Sequence, residues 1–467
     1  MVNSGRITGL AEVFATGSGV LTNSGTISNP GGNAIELDGS GTDTLNVAPG
    51  SQIIGGIRLN AINNVINFLG GNYNLTFATG AGAAATVTGA IPFALSGNQA
   101  AAIDPTPFAL TDKNLMDFTR GISGILGSLG AARPGASAGS AANAYAPSDT
   151  AAGRIDAAFA SIPGLAYAGN DEAMVFKAPA IVDNAGRTLW ARGFAGERVQ
   201  QAEGPDLHAI SNYAGGAVGF DLLARPDLRL GVFAGGGDSR MSVDLNSGST
   251  KSDMVFGGVY GHYAFTSFGA ASLLDFALHG GGSHNTSLRN INNNLAPGGL
   301  ESATASYNGW YVSPELGYAV HLPLWGGFTL TPSARLRYVA GAFDGYTESG
   351  STANLTVGSR TVQDIEERGE LKLTHASVFG RDLLLTSVHV GVLGIERVGD
   401  TTVDAVLLGA GTPFLTPGKA DVAGWLAGTG FEWRTREGIS FFGAGEYLAM
   451  SDASTAWLAK GGMRVGF

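Results

Sequence analysis

The 467 residues carry 27 Lys and Arg against 38 Asp and Glu, a formal net charge of −11, with no basic run that would point to nucleic acid. Only 14% are charged, against about 25% in a typical soluble domain, while 44% are hydrophobic and 73 are glycine. The absence of cysteine excludes a disulfide scaffold and thiol chemistry, and no apolar stretch approaches the ~18–20 residues of a spanning helix, so any membrane insertion is expected through a barrel.

Residues 1–103 are rich in Gly, Asn, Ser and Thr, with short β-branched and aliphatic runs between them. Asn3-Ser4-Gly5-Arg6-Ile7-Thr8 returns as Asn23-Ser24-Gly25-Thr26-Ile27-Ser28, a repeat near 20 residues. Short strands are expected at 34–37, 44–47, 53–57, 65–68 and 75–77. With Asn and Gly at the turns, the pattern reads as part of a right-handed parallel β-helix. The start, Met1-Val2-Asn3-Ser4-Gly5, has neither the basic residues nor the apolar core of a signal peptide and falls inside a repeat. The expectation is the carboxy-terminal part of a longer exported protein.

Residues 104–186 change in character and read as a linker. Thr111 and Asp112 offer a helix start, and Leu115, Met116, Phe118, Ile122, Ile125, Leu126 and Leu129 follow at roughly helical spacing. Gly121, Gly124 and Gly127 weaken this helix by up to ~1 kcal/mol each relative to Ala, and leave one side of it slim. A low-complexity Ala, Gly, Pro and Ser run then extends to about Asp149, and a second, shorter helix is expected at Thr150–Ile162.

From residue 187 onward, alternation with period two recurs in about twelve segments: 188–198, 209–221, 228–241, 252–265, 268–285, 302–320, 327–341, 361–378, 384–398, 420–434, 439–450 and 455–467. Leu330, Pro332, Ala334, Leu336 and Tyr338 alternate with Thr331, Ser333, Arg335 and Arg337; Trp425, Phe431 and Trp433 share a face opposite Glu432 and Arg434. Aromatics near strand ends, aliphatics between them and charges opposite are the pattern of a transmembrane barrel with a wet lumen. Arg192, Asp275, Glu315, Arg335, Arg337, Glu432 and Arg434 are the candidate lumen charges. Connections near 286–301, 342–360 and 399–419 look long and those near 225, 267, 324 and 436 short, the asymmetry of outer loops and periplasmic turns. The fold class is therefore all-β: a twelve-stranded antiparallel transmembrane barrel, preceded by an α-helical linker and a partial parallel β-helix.

Several of these segments resemble the bacterial autotransporters of the type V secretion pathway. Leu189-Trp190-Ala191-Arg192-Gly193-Phe194 is similar to the family's first barrel strand, and Gly215-Gly216-Ala217-Val218-Gly219-Phe220-Asp221 with Leu228-Arg229-Leu230-Gly231 to the next two. Ser313-Pro314-Glu315-Leu316-Gly317-Tyr318, Phe343-Asp344-Gly345-Tyr346 and the terminal Gly462-Met463-Arg464-Val465-Gly466-Phe467 resemble later parts. The resemblance implies a β-helical passenger, a helix in the pore, an outer-membrane location and a translocator role. It also implies an assembly signal formed by Phe467 with Val465 and Met463, read by the barrel assembly machinery and periplasmic chaperones. The other expected partners are outer-membrane lipid and lipopolysaccharide around a monomeric barrel, with no nucleic acid.

Catalytic motifs are weak. Gly135-Ala136-Ser137-Ala138-Gly139 fits G-x-S-x-G but lies in the low-complexity run, and Gly237-Asp238-Ser239 sits near the end of a barrel strand. The 7 His show no metal spacing, His279 and His284 being nearest. Asn63-Asn64 and Asn292-Asn293-Asn294 fall outside the linker, where Asn-centred self-cleavage would be placed. No cofactor or enzymatic activity is expected. The expected function is a translocator that displays an adhesin-like passenger; the alternatives are the remnant of an esterase or protease autotransporter and a free-standing pore.

Overall fold

The computed structural model describes residues 1–13, 17–38, 41–59, 64–79, 85–130, 187–380 and 382–466. The expected helix at Thr150–Ile162, the Gly135–Gly139 motif, Asn63 and Phe467 lie outside the described residues.

The repeats near 20 residues stack because each short strand can bury only one or two side chains alone, and a neighbour in register completes its core. Strands β1 (Val2–Asn3), β4 (Val20–Asn23), β6 (Thr44–Val47), β8 (Asn64–Phe68) and β10 (Ala85–Gly89) form one parallel sheet. Strands β2 (Arg6–Thr8), β3 (Ala11–Val13), β5 (Thr26–Leu37), β7 (Gln52–Leu59) and β9 (Tyr73–Thr79) stack on the other faces, also in parallel. The two copies of the repeat pair directly, Ile7 with Ile27. Leu21, Ile27, Ile35, Leu45, Ile53 and Phe68 fill a dry core. Asparagine does not sit only at turns, as the sequence suggested. Asn67 donates to Asn46 Oδ1 (2.9 Å) and Asn3 to Asn23 Oδ1 (2.7 Å), so stacked amides run along the solenoid. Its lower end is closed by the hairpin β11 (Phe93–Ser96) and β12 (Gln99–Ala102), which pairs antiparallel with β9.

Helix α1 spans Thr106–Gly130, beginning five residues before the expected start. The difference lies in Asp104-Pro105. The Asp104 carboxylate accepts the Thr106 N–H (3.0 Å), an N-cap followed by proline in the first turn, so Thr111 is already inside the helix.

Twelve long strands follow: β13 (Thr188–Gln200), β14 (Ala209–Ala224), β15 (Leu228–Val243), β16 (Gly248–Ser267), β17 (Ala270–Asn293), β18 (Leu300–Pro323) and β19 (Phe328–Phe343), and, after the loop strands β20 (Tyr346–Thr347) and β21 (Leu355–Val357), β22 (Arg360–Phe379) and β23 (Asp382–Arg397). The loop strands β24 (Thr402–Val403), β25 (Ala405–Leu407), β26 (Ala410–Gly411) and β27 (Phe414–Leu415) precede β28 (Asp421–Arg434), β29 (Ile439–Met450) and β30 (Ser454–Gly466). Each long strand pairs antiparallel with the next, and β13 pairs with β30 from Thr188↔Gly466 to Gln200↔Ser454, which closes the barrel and leaves no free edge.

Every segment expected as a barrel strand is one, but the connections differ. The expected long connection at 286–301 is mostly strand: β17 continues to Asn293 and β18 begins at Leu300. The outward positions of this part include His284, Thr286 and Asn290 in place of aliphatic residues, so it lacks the apolar alternation of its neighbours. Short turns at 225–227, 268–269, 324–327 and 435–438, and the one that begins at Gly380, line one mouth. The other mouth carries the long connections 344–359 and 398–420, but also tight ones at 244–247 and 451–453. At the two-residue turn between β16 and β17, Phe268 and Gly269 both take positive φ (50° and 74°), as a type I′ hairpin requires.

Candidate functional site

Alternation sorts each barrel strand into an outer and an inner face. Outside, Trp310, Leu316, Leu336, Val390, Trp425 and Trp433 are about half exposed and belong to an apolar belt around the barrel. Met463 lies on that face too, and Val465, opposite Leu189 on β13, is half-buried. Inside, the lumen is filled from one mouth by α1. The chain leaves the solenoid at Ala102, caps the helix at Asp104 and enters beside the 201–208 loop, where the Leu207 N–H donates to the Thr106 hydroxyl (3.0 Å).

One side of α1 is apolar. Phe118 meets Phe194 and Phe256 edge to face (5.2 and 5.8 Å), with Ile122, Phe233 and Trp190 in the same cluster. The glycines allow close approach to the wall. A Cβ on Gly121 would lie 2.3 Å from the Phe194 ring, and one on Gly127 2.6 Å from the Arg335 guanidinium. The slim side expected from the sequence therefore faces side chains that already fill the space.

The other side is held by charge. Asp117 lies 2.6 Å from Arg198 and 2.5 Å from Arg120. Arg120 and Arg337 both reach Glu366 at 2.6 Å, and Arg337 also donates to the Thr119 hydroxyl. All five charged groups are buried. Nearer the mouth, Lys113 bridges Asp452 (2.7 Å) and Gln200 (2.7 Å), Asp112 pairs with Arg360 and Arg397, and Asn114 donates to Ser239 (2.6 Å). Asp452, in the turn 451–453, feels burial pulling its pKa upward, but Lys113, Ser454 and Arg198 together outweigh this and hold it at about 2. Ser239 of the Gly237-Asp238-Ser239 triplet thus serves as a helix contact in the wall.

The sequence-derived lumen charges fall into several groups. Arg335 pairs with Glu315 (3.1 Å) and lies 3.7 Å from Asp275, while Arg337 belongs to the Glu366 network. Arg192 donates to the carbonyl of Ile125 (2.7 Å) and sits over the Phe442 ring, where it complements carbonyls toward the helix end. Glu432 pairs with Arg434 (2.9 Å) and with Arg464 (3.4 Å). Asp117, Arg120, Arg198 and Glu366 were not singled out. The signal was present on β22, where Asp364, Glu366, Arg368, Glu370 and Lys372 alternate with other residues in one period-two row. Below the helix a cavity of about 270 Å³ remains, lined among others by Arg335, Arg368, Glu370, Lys372, Glu446 and Lys460. His279 points into the lumen, buried, while His284 is exposed and bonds Asn308, so the two are not one site.

At the solenoid-bearing mouth the asparagine run has a clear role. Asn294 Nδ2 donates to the carbonyls of Gly55 and Thr76 (2.9 Å each), and its Oδ1 accepts the Thr76 N–H (2.8 Å). Asn292 Oδ1 accepts the Ile53 N–H (3.1 Å), and Asn72 donates to Ser247 (2.8 Å). Strands β9 and β17 pair in parallel at Tyr73↔Asn292 and Asn74↔Asn293. The solenoid base is thus hydrogen-bonded to the barrel, largely through backbone. Two carboxyls in this region have raised pKa values. Burial pushes Asp104 above the usual carboxylate range despite hydrogen bonds from Ser247 and Thr106. Burial, with the Asp104 charge nearby, pushes Asp206 up to about 6.

Residues 189–446, more than half of the chain, match the family model of the autotransporter β-domain. Among solved structures, the translocator domain of autotransporter NalP from Neisseria meningitidis is 18% identical, with a TM-score of 0.47 over 68% of this chain and 95% of that one. The transport unit of autotransporter AIDA-I from Escherichia coli is 15% identical, with a TM-score of 0.42 over 68% and 98%. No curated protein matches the sequence.

Proposed function

The chain belongs to the autotransporter β-domain family, and from that premise we propose that it anchors in the outer membrane, exports its amino-terminal part through the barrel and displays it at the cell surface. The observation that supports this most is the path of the chain: a solenoid at one mouth, then a helix running into the lumen under a buried ion network. Translocation leaves the last exported segment threaded through the pore, and α1 has that position and polarity. On this reading the solenoid-bearing mouth is extracellular, the short turns are periplasmic, and the apolar belt contacts lipid and lipopolysaccharide. The divisions are a displayed solenoid over 1–103, a linker over 104–186 and a barrel from 187.

The displayed part acts as an adhesin-like surface and the chain is not an enzyme; its repetitive strands offer extended hydrogen-bonding faces and no catalytic constellation among the described residues. Assembly as a monomer proceeds through the barrel assembly machinery and periplasmic chaperones, which read β30 with Val465, Met463 and Phe467. The test is topology in intact cells. An epitope in the β11–β12 turn, at Gly97, should be stained and removed by added protease, while one at Gly380 should be protected until the outer membrane is opened. Protection of both sites, or exposure of Gly380 alone, would overturn the proposal.

A further inference from the structure

The cavity below α1 is walled by charges, most of which are matched among themselves. Arg368 holds Glu370 (2.6 Å) and Glu446, and Arg335 holds Glu315 and Asp275. Arg434 and Arg464 share Glu432, as Arg120 and Arg337 share Glu366. Six arginines thus meet six carboxylates, and Asp117, which Arg120 also touches, is matched by Arg198. Lys372 of β22 and Lys460 of β30 stand outside this balance. Both line the cavity and keep part of their surface open, and neither forms an ion pair or side-chain hydrogen bond with a described residue. Glu446 attracts Lys460 only from beyond ion-pair reach, being taken by Arg368 and His389. The two lysines therefore leave a positive surplus here, in a chain whose net charge is −11.

The wall between the two lysines is low. Thr374, Ser387, Gly430, Ala444 and Lys460 are successive register partners across β22, β23, β28, β29 and β30, and no side chain in that row before Lys460 is larger than threonine. Lys372 precedes Thr374 on the same face of β22. Lys460 reaches in from the far end, its Nζ 3.3 Å from the place a Cβ on Gly124 would take. Glu370, His389 and Glu446 bring three metal-ligating atoms within 4.8 Å of one another, but Arg368 bonds both carboxylates and the two lysines line the same cavity, so a divalent cation is repelled. An anion meets the opposite: two ammonium groups with unused donors, a nearby threonine hydroxyl and a cleft of low dielectric that focuses their field.

We propose that this cavity is an oxyanion site: Lys372 and Lys460 together draw a small phosphate- or sulfate-like anion from solution into it, with the Thr374 hydroxyl beside the anion. The cavity, about 270 Å³, has room for such an anion with part of its hydration shell. Lysine suits the task, because its ammonium is a compact charge with rotatable donors that needs no fixed bidentate geometry. Small anions therefore collect at this end of the lumen and divalent cations are turned away. The site is built by the wall and the underside of α1, so it stands whichever mouth faces outward and whether or not the chain exports its amino-terminal part.

Lysine labelling of the full-length chain in lipid nanodiscs tests this. Pyridoxal 5′-phosphate and pyridoxal carry the same aldehyde, which condenses with a lysine amine to an imine and water, and borohydride fixes the product for mass spectrometry; only the first reagent brings a phosphate. Lys251, exposed on the outer face beside Asp253, is the internal reference. The preference for the phosphate reagent should be about tenfold greater at Lys372 and Lys460 than at Lys251, the enrichment a focusing cleft gives. Excess inorganic phosphate should slow labelling at Lys372 and Lys460 and leave Lys251 unchanged. The same preference at all three lysines, labelling indifferent to inorganic phosphate, or no labelling of Lys372 and Lys460 by either reagent would overturn the proposal.

Discussion

At Glu366, one carboxylate bridges two guanidiniums, Arg120 of the helix and Arg337 of the wall, in a site with little solvent. Removing one member of a buried network costs about 3–5 kcal/mol, because the partners remain buried and unpaired. Glu366→Gln is therefore expected to loosen α1 while the strand ladder survives: protease should cut within 104–130 at rates at least tenfold above wild type, with the barrel still resistant to cold detergent. At Gly121 the constraint is shape. Gly121→Val places its side chain within the Phe194 ring and should produce the same loosening, although valine changes no charge. Asp206 carries a pH dependence. Its folded-state pKa, about 6, lies above the ordinary carboxylate value, so the folded mouth binds a proton that the opened loop releases. Stability of this loop falls as pH rises from about 4 to about 6. After correction for intrinsic exchange, the Leu207 amide should be better protected at pH 5 than at pH 7. Asp206→Asn should abolish the difference.

Among the elements, barrel strands were the most legible. Their two faces meet different solvents, so Trp425, Phe431 and Trp433 against Glu432 and Arg434 already define inside and outside. The helix was legible as a helix but its start was not, since the Asp104-Pro105 cap precedes the first apolar position by several residues. Least legible was the junction between solenoid and barrel. Asn292 and Asn294 bond backbone groups of Ile53, Gly55 and Thr76, more than 200 positions away, and such contacts leave no periodic trace in a sequence. Each asparagine leaves buried backbone groups unpaired if truncated, at about 1–3 kcal/mol per group. Asn294→Ala is expected to free the solenoid base, seen as faster amide exchange at Gly55 and Thr76, with exchange in β13–β16 unchanged.

For the molecule as a whole, the period-two pattern, the repeats near 20 residues and the helical spacing from Leu115 to Leu129 were enough to read a barrel, a solenoid and the helix α1, while the second expected helix, Thr150–Ile162, lies outside the described residues. The helix–lumen fit was only half visible: Arg335, Arg337, Glu315 and Asp275 stood out in the wall, but which helix residues they meet depends on the rotation of α1, which sequence does not specify. On the proposed function, this barrel is a pore closed by its own chain. Single-channel conductance in planar bilayers tests it most directly, comparing the full chain with one lacking Thr106–Gly130. Rare, small openings are expected for the full chain and stable openings several times larger for the deletion, in barrels that both resist cold detergent. Equal conductance of the two would contradict it.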